Sequence, residues 1–229
     1  MAHSDKKMLS IFLTNTCNLD CVYCYAHNDP DNMQIMSKEF AFWGVEYYYN
    51  EYIVKHGFDK RIRFYGPGEP TTQFALMKDI ATYAKKIWGE DAQIEIQTNG
   101  CFSDTVLDWI EKNADNVWIS CDGLPKIQNM NRPFFKTHNP SSPVMEKNIK
   151  KLSLSKHCVV GIRSTITKTS VYKGYKRDKI EMRGDRAEMS DFPLYLNTVA
   201  GGLDRRDQTI GGFSFVVKIY AVPVIEIIG

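Results

Sequence analysis

Leu9-Ser-Ile-Phe-Leu-Thr14, running on through Asn15 and Thr16 into Cys17-Asn-Leu-Asp-Cys21-Val-Tyr-Cys24, is the stretch that decides the fold. The first six residues are apolar and β-branched, the pattern of a buried strand. The polar residues that follow read as a loop, and that loop carries three of the six cysteines within eight residues. The segment before it, Met1 to Lys7, reaches the apolar run Met8–Leu13 too quickly and too briefly for a secretory signal. A cytoplasmic location is therefore expected. In that reducing compartment clustered cysteines favour metal ligation over disulfides. Cys101, Cys121 and Cys158 are far apart in the chain and read as small buried hydrophobes.

Thiolates bind iron, and a compact loop can present three of them to three corners of a cubane cluster. Three protein ligands leave one iron open to a further molecule, whereas a fully ligated cluster can carry electrons but not bind substrate. A zinc site would require a fourth ligand, for which His27 is close in sequence. Purely structural cysteines are the remaining alternative.

Outward from this loop, strand-like runs alternate with helical patterns. Ser37 is placed as an N-cap with Glu39 in the first turn, opening a helix through Phe40, Val45, Tyr48, Tyr49 and Ile53. Arg61–Tyr65 is a second strand, stopped by Gly66-Pro67-Gly68, and Thr72–Trp88 is helical. Ile94–Thr98, Val117–Cys121 and Val159–Ile166 are further strands, with helices over Asp104–Asn113 and from Ser142-Pro143 onward. Five strands separated by helices predict a parallel α/β sheet, curled by right-handed crossovers into an open or closed barrel. A site is expected along its carboxyl edge. After Ser170 the chain changes character. Lys173–Asp191 is densely charged with a weak helical pattern, and Phe213–Ile228 is apolar but interrupted by Pro223, so it offers one further strand or two short ones. The expected division is a core over residues 1–170 and a C-terminal segment over 171–229.

The 229 residues are 43% hydrophobic and 24% charged, the composition of a globular domain. A net charge of +2 argues against nucleic acid or an anionic membrane as the main partner. No stretch has the length of a membrane span.

Cys17-Asn-Leu-Asp-Cys21-Val-Tyr-Cys24 resembles the Cx3CxΦC pattern of the radical S-adenosylmethionine (SAM) superfamily, with Tyr23 as the aromatic. The resemblance covers about residues 8–170. It implies a partial (β/α)6 barrel and a [4Fe–4S] cluster on Cys17, Cys21 and Cys24. It also implies reductive cleavage of SAM to methionine and a 5′-deoxyadenosyl radical that abstracts hydrogen from a substrate. Tyr65-Gly66-Pro67-Gly68-Glu69-Pro70 is similar to the family's GGEP motif, with Pro67 in place of one glycine. Gly66, Gly68 and Glu69 are then implied at the SAM amino group, although the same residues also make an ordinary tight turn with a solvated carboxylate. Thr98-Asn99-Gly100 is similar to the family's TNG, which places Asn99, and more weakly Gln97, near SAM or substrate; an Asn-Gly turn is the plain alternative. Ser120-Cys121-Asp122-Gly123 with Arg132 resembles the SxDG…R arrangement of sulfatase maturases and peptide-modifying enzymes. There the serine and arginine hydrogen-bond the SAM carboxylate, and Asp122 belongs to the same constellation, as a contact or as a cap. Arg163, on the fifth strand, is implied near the ribose or the substrate, and Tyr23 beside the adenine.

These likenesses imply a peptide or protein side chain as substrate and a reductant such as flavodoxin or ferredoxin as electron donor. A compact enzyme of another branch, such as a glycyl-radical activase or a small-molecule enzyme, is the second reading. A non-catalytic iron–sulfur protein is the third. No cysteine follows Cys158, so no auxiliary-cluster domain is expected in this chain. The tail beyond Tyr172 does not resemble the family's fifth helix and sixth strand.

Overall fold

A computed structural model describes residues 8–26, 28 and 30–166, together with the strands Arg186–Glu188, Tyr195–Asn197, Phe213–Ile219 and Ile225–Ile228. Its centre is a parallel sheet of β1 (Leu9–Ile11), β2 (Arg61–Phe64), β3 (Gln93–Thr98), β4 (Asn116–Ser120) and β5 (Val159–Ile166). These strands lie side by side in chain order. Each parallel pair is joined through helical chain: α1 (Lys38–Tyr48), α2 (Phe74–Trp88), α3 (Asp104–Asn113), then α4 (Pro125–Asn131) and α5 (Ser142–Ser153).

The alternation of side chains along each strand separates two faces. Ile62 and Phe64, Ile94 and Ile96, Val117 and Ile119, and Val160 and Ile162 are buried in the core shared with the helices. The helices supply Val45, Met77, Ile80, Leu107, Ile110, Ile149 and Leu152 to that core. Register places Arg61, Arg63, Glu95, Gln97, Trp118, Ser120 and Arg163 on the other face. Because the five strands are parallel, every loop that follows one of them opens at the same carboxyl edge.

The start of α1 is built as its sequence requires: the Ser37 hydroxyl accepts from the Phe40 N–H at 3.2 Å, with Glu39 in the first turn. Phe40, however, is exposed, and the core-facing stripe is Ala41, Val45 and Tyr48. The helix continues into a π-turn over Tyr49–Val54. Cys101, Cys121 and Cys158 are buried and unpaired.

The far edge departs from a (β/α)6 barrel. β8 (Phe213–Ile219) pairs with β5 antiparallel, and β9 (Ile225–Ile228) pairs antiparallel with β8. β6 (Arg186–Glu188) and β7 (Tyr195–Asn197) form a separate antiparallel pair. The five parallel strands are thus extended by two antiparallel ones into a seven-stranded sheet that is not closed: β1 and β9 are its two edges. Phe213–Ile228 divides into two strands on either side of Pro223, which has no N–H to give to a ladder. Of the weak helical pattern over 173–191, Arg186–Glu188 is strand and the remainder lies outside the described residues. Among the described residues no helix is long and apolar enough to cross a membrane.

Candidate functional site

The cysteine loop leaves β1 at the carboxyl edge and is sewn to the chain that follows α4. Asp20 N donates to Pro133 O at 2.8 Å, Val22 N to Asn131 O at 2.9 Å and Phe135 N to Asn18 O at 2.9 Å. Asn28 closes the loop from within: it accepts from Cys17 N at 3.0 Å and donates to Cys17 O at 2.8 Å. Cys17, Cys21 and Cys24 are all partly exposed on this loop. Burial pushes the Cys17 thiol up to about 12, with the Glu69 carboxylate adding to the shift. Burial also pushes Cys21 up to about 11, against the opposing charge of Arg132. His27, the sequence candidate for a fourth zinc ligand, lies outside the described residues. Among those residues no three His, Cys, Asp or Glu side chains converge as ligands of one ion.

Two side-chain networks meet this loop. On one side Asn99, just past β3, directs its Nδ2 to Cys17 Sγ at 3.5 Å and to Asn18 Oδ1 at 2.7 Å, and its backbone N–H to Glu69 Oε2 at 2.7 Å. Glu69 Oε1 accepts from Thr71 N at 3.1 Å, Thr71 Oγ1 at 2.7 Å and Thr98 Oγ1 at 2.6 Å. Glu69 is only 3% exposed, so it is not the solvated carboxylate of an ordinary turn. Burial raises its pKa, and these four hydrogen bonds oppose the rise.

On the other side Arg132, at the end of α4, is buried beside three groups. Its Nε lies 3.3 Å from Asp122 Oδ1, its Nη1 lies 3.8 Å from Cys21 Sγ, and its guanidinium carbon lies 5.1 Å from the centre of the Tyr23 ring. The Tyr23 hydroxyl donates to Asp122 Oδ2 at 2.5 Å. Asp122 also accepts from Asn131 Nδ2 at 3.0 Å and from Thr165 N at 3.0 Å. It joins β4, the end of α4, β5 and the cysteine loop.

The two glycines are each packed against the chain leaving β1. A Cβ on Gly68 would stand 2.4 Å from Thr14 O and 2.5 Å from Thr16 O, because this turn is pressed onto the backbone leaving β1. Glu69 N donates to Thr16 O at 2.9 Å across the same contact. Gly66, at φ 136°, lies against the Phe12 ring. Ser120 stands in register with Arg163, whose guanidinium donates to Gln97 Oε1. The structure therefore gathers Cys17, Glu69 and Asn99 into one network and Cys21, Tyr23, Asp122 and Arg132 into another, while Gly66 packs on Phe12. Thr98, part of the TNG-like motif, holds the first network, while Asn18, Asn28, Thr71 and Asn131 also hold these networks and escaped the sequence reading. The asparagines beside the cysteines were the available signal.

The sequence model described as the Radical SAM superfamily matches residues 11–152. An uncharacterized protein of Methanocaldococcus jannaschii is 32% identical over 139 residues, which is 59% of this chain and 45% of that protein. Among solved structures, the anaerobic sulfatase-maturase anSMEcpe with bound AdoMet superposes with a TM-score of 0.55 at 21% identity, over 67% of this chain and 43% of that one. Streptococcus suis SuiB bound to precursor peptide SuiA gives a TM-score of 0.51 at 15% identity, over 67% of this chain and 32% of that one. These structural likenesses concern the fold alone, and the chain spans less than half the length of each of these proteins.

Proposed function

The chain belongs to the radical SAM superfamily, whose members are enzymes, and we propose that it holds a [4Fe–4S] cluster on Cys17, Cys21 and Cys24 and uses it to cleave SAM. The observation that carries the reading is Asn99, whose side chain reaches the Cys17 sulfur and whose backbone N–H binds Glu69. A thiol loop and a buried carboxylate from two different strand ends are thereby held at one point.

The residues present fit the cluster. Three partly exposed thiols share one short loop, and two of the sulfurs face hydrogen-bond donors, Leu19 N and Asn99 Nδ2 at Cys17 and the Arg132 guanidinium at Cys21. Such donors stabilise thiolate, and iron displaces the thiol protons that burial otherwise retains. When bound and reduced by an external donor such as flavodoxin or ferredoxin, the cluster supplies the electron that splits SAM into methionine and a 5′-deoxyadenosyl radical. Glu69 would accept from the SAM amino group. Ser120 and Arg132 would receive its carboxylate, with Asp122 fixing the guanidinium and Tyr23 lying beside the adenine. The substrate is a peptide or protein side chain, a reading supported by the peptide-bound relatives anSMEcpe and SuiB.

The test is electron paramagnetic resonance of the anaerobically reconstituted, reduced protein with and without SAM. The proposal expects SAM to change the cluster signal; a signal indifferent to SAM contradicts it.

A further inference from the structure

The sheet face opposite the helices carries an imbalance of charge. On its five parallel strands three guanidiniums, from Arg61, Arg63 and Arg163, share this face with one carboxylate, Glu95. Glu95 is 2% exposed and fully engaged: Arg61 Nη1 lies 3.3 Å from Oε2, Arg63 Nε donates to Oε1 at 2.6 Å, and Trp118 Nε1 donates to Oε1 at 3.0 Å. Arg163 has a neutral partner, the Gln97 amide oxygen, and among the described residues no carboxylate lies within ion-pair distance of it. Burial and the charge of Arg63 both lower the Arg163 pKa, with Glu95 opposing. Guanidinium stays protonated regardless, so a half-buried cation remains with no carboxylate in direct contact among the described residues.

The floor below it is also shaped. The Trp118 indole lies against β5 at Gly161, where a Cβ would come within 2.1 Å of the ring. Arg163 sits two residues beyond Gly161, level with Ser120 and two residues before Thr165, which binds Asp122. The excess charge therefore lies just inside the mouth that holds the cysteine loop.

We infer that Arg163, with the Trp118 indole as floor, binds an oxyanion carried by the substrate, either the carboxylate of an acidic side chain or a phosphoryl group. A guanidinium matches either in a two-pronged hydrogen bond. The inference rests on the proposed function only in assigning this face to the substrate.

The test is calorimetric titration of the full, anaerobically reconstituted chain, without and with SAM. The probes are N-acetyl-glutamate amide, its neutral counterpart N-acetyl-glutamine amide, and inorganic phosphate. The glutamate probe or phosphate should bind saturably, with the tighter of the two identifying the source of the oxyanion, and the glutamine probe should bind at least about tenfold more weakly. Arg163→Gln should lose about tenfold in affinity for the anion, and Arg163→Lys should recover part of it. Glu95→Gln removes the competing carboxylate and should tighten anion binding several-fold, an effect that a merely structural site would not produce. Equal binding of the glutamine probe, or an Arg163→Gln protein that binds the anion like wild type, overturns the inference. So does an Arg163→Gln protein that loses SAM and keeps the anion. Anion binding by a wild-type protein that ignores SAM would instead count against the proposed function alone.

Discussion

The backbone N–H of Asn99 donates to Glu69 Oε2 at 2.7 Å, which locks the end of β3 to the turn after β2. Replacing Glu69 by Gln keeps the shape but turns one acceptor into a donor. The new NH2 must face either Asn99 N–H or the three donors on the other oxygen. An unsatisfied buried pair of this kind costs about 1–3 kcal/mol. Urea unfolding should show that loss, and the variant should also hold iron less firmly, since Asn99 reaches Cys17.

Gly68→Ala should be among the most damaging single-methyl changes in the chain. The added Cβ meets two backbone carbonyls, Thr14 O and Thr16 O, which cannot rotate aside as a side chain would. Overpacking of that kind costs about 1–3 kcal/mol, and the upper end is expected here. Gly44→Ala is the control. Its Cβ meets nothing within 4 Å on α1, and it should stabilise by roughly 0.5–1 kcal/mol. Equal unfolding midpoints for the two variants would refute this account of the turn.

Changing Cys17, Cys21 or Cys24 to Ala should abolish cluster iron, while Cys101→Ala and Cys121→Ala should retain it. The latter two thiols are buried, and burial pushes both up to about 12. Iron analysis of the purified variants decides the matter, and loss of iron from either buried-cysteine variant would remove the ligand assignment.

The thiol pKa directions also set a pH profile. Cys17, at about 12, and Cys21, at about 11, are protonated in the iron-free protein at pH 8. Thiolate is the species that reacts with iodoacetamide, and below the pKa its fraction rises about tenfold per pH unit. Alkylation of both cysteines should be slow at pH 8, accelerate in that proportion toward pH 10, and stop once iron is loaded. Fast, pH-independent alkylation would mean that the sulfurs are not shielded as the structure has them.

Much of this molecule is legible in its sequence because its signals are local. Val159–Ile166 reads as a strand from its own residues, and Val106, Leu107 and Ile110 declare the buried face of α3 by spacing alone. The cysteine loop and Glu69 are equally local. What escaped depends on register between distant strands. Glu95 looks like the solvent side of an alternating strand until β2 places Arg61 and Arg63 beside it and β4 brings Trp118 across. The packing of Gly66 and Gly68 on the chain leaving β1 is likewise non-local, since nothing in their own segment shows that this chain crosses them. α4 has seven residues, too short for a periodic pattern to appear. Phe40 shows the opposite error, an apolar residue at helical spacing that the helix turns to solvent.

The most direct test of the central claim is the assay for 5′-deoxyadenosine after anaerobic incubation of the reconstituted protein with SAM and a reductant. The account predicts 5′-deoxyadenosine and methionine only when reduced cluster and SAM are both present, and none from the Cys21→Ala protein. An intact, reducible cluster that leaves SAM uncleaved would contradict it.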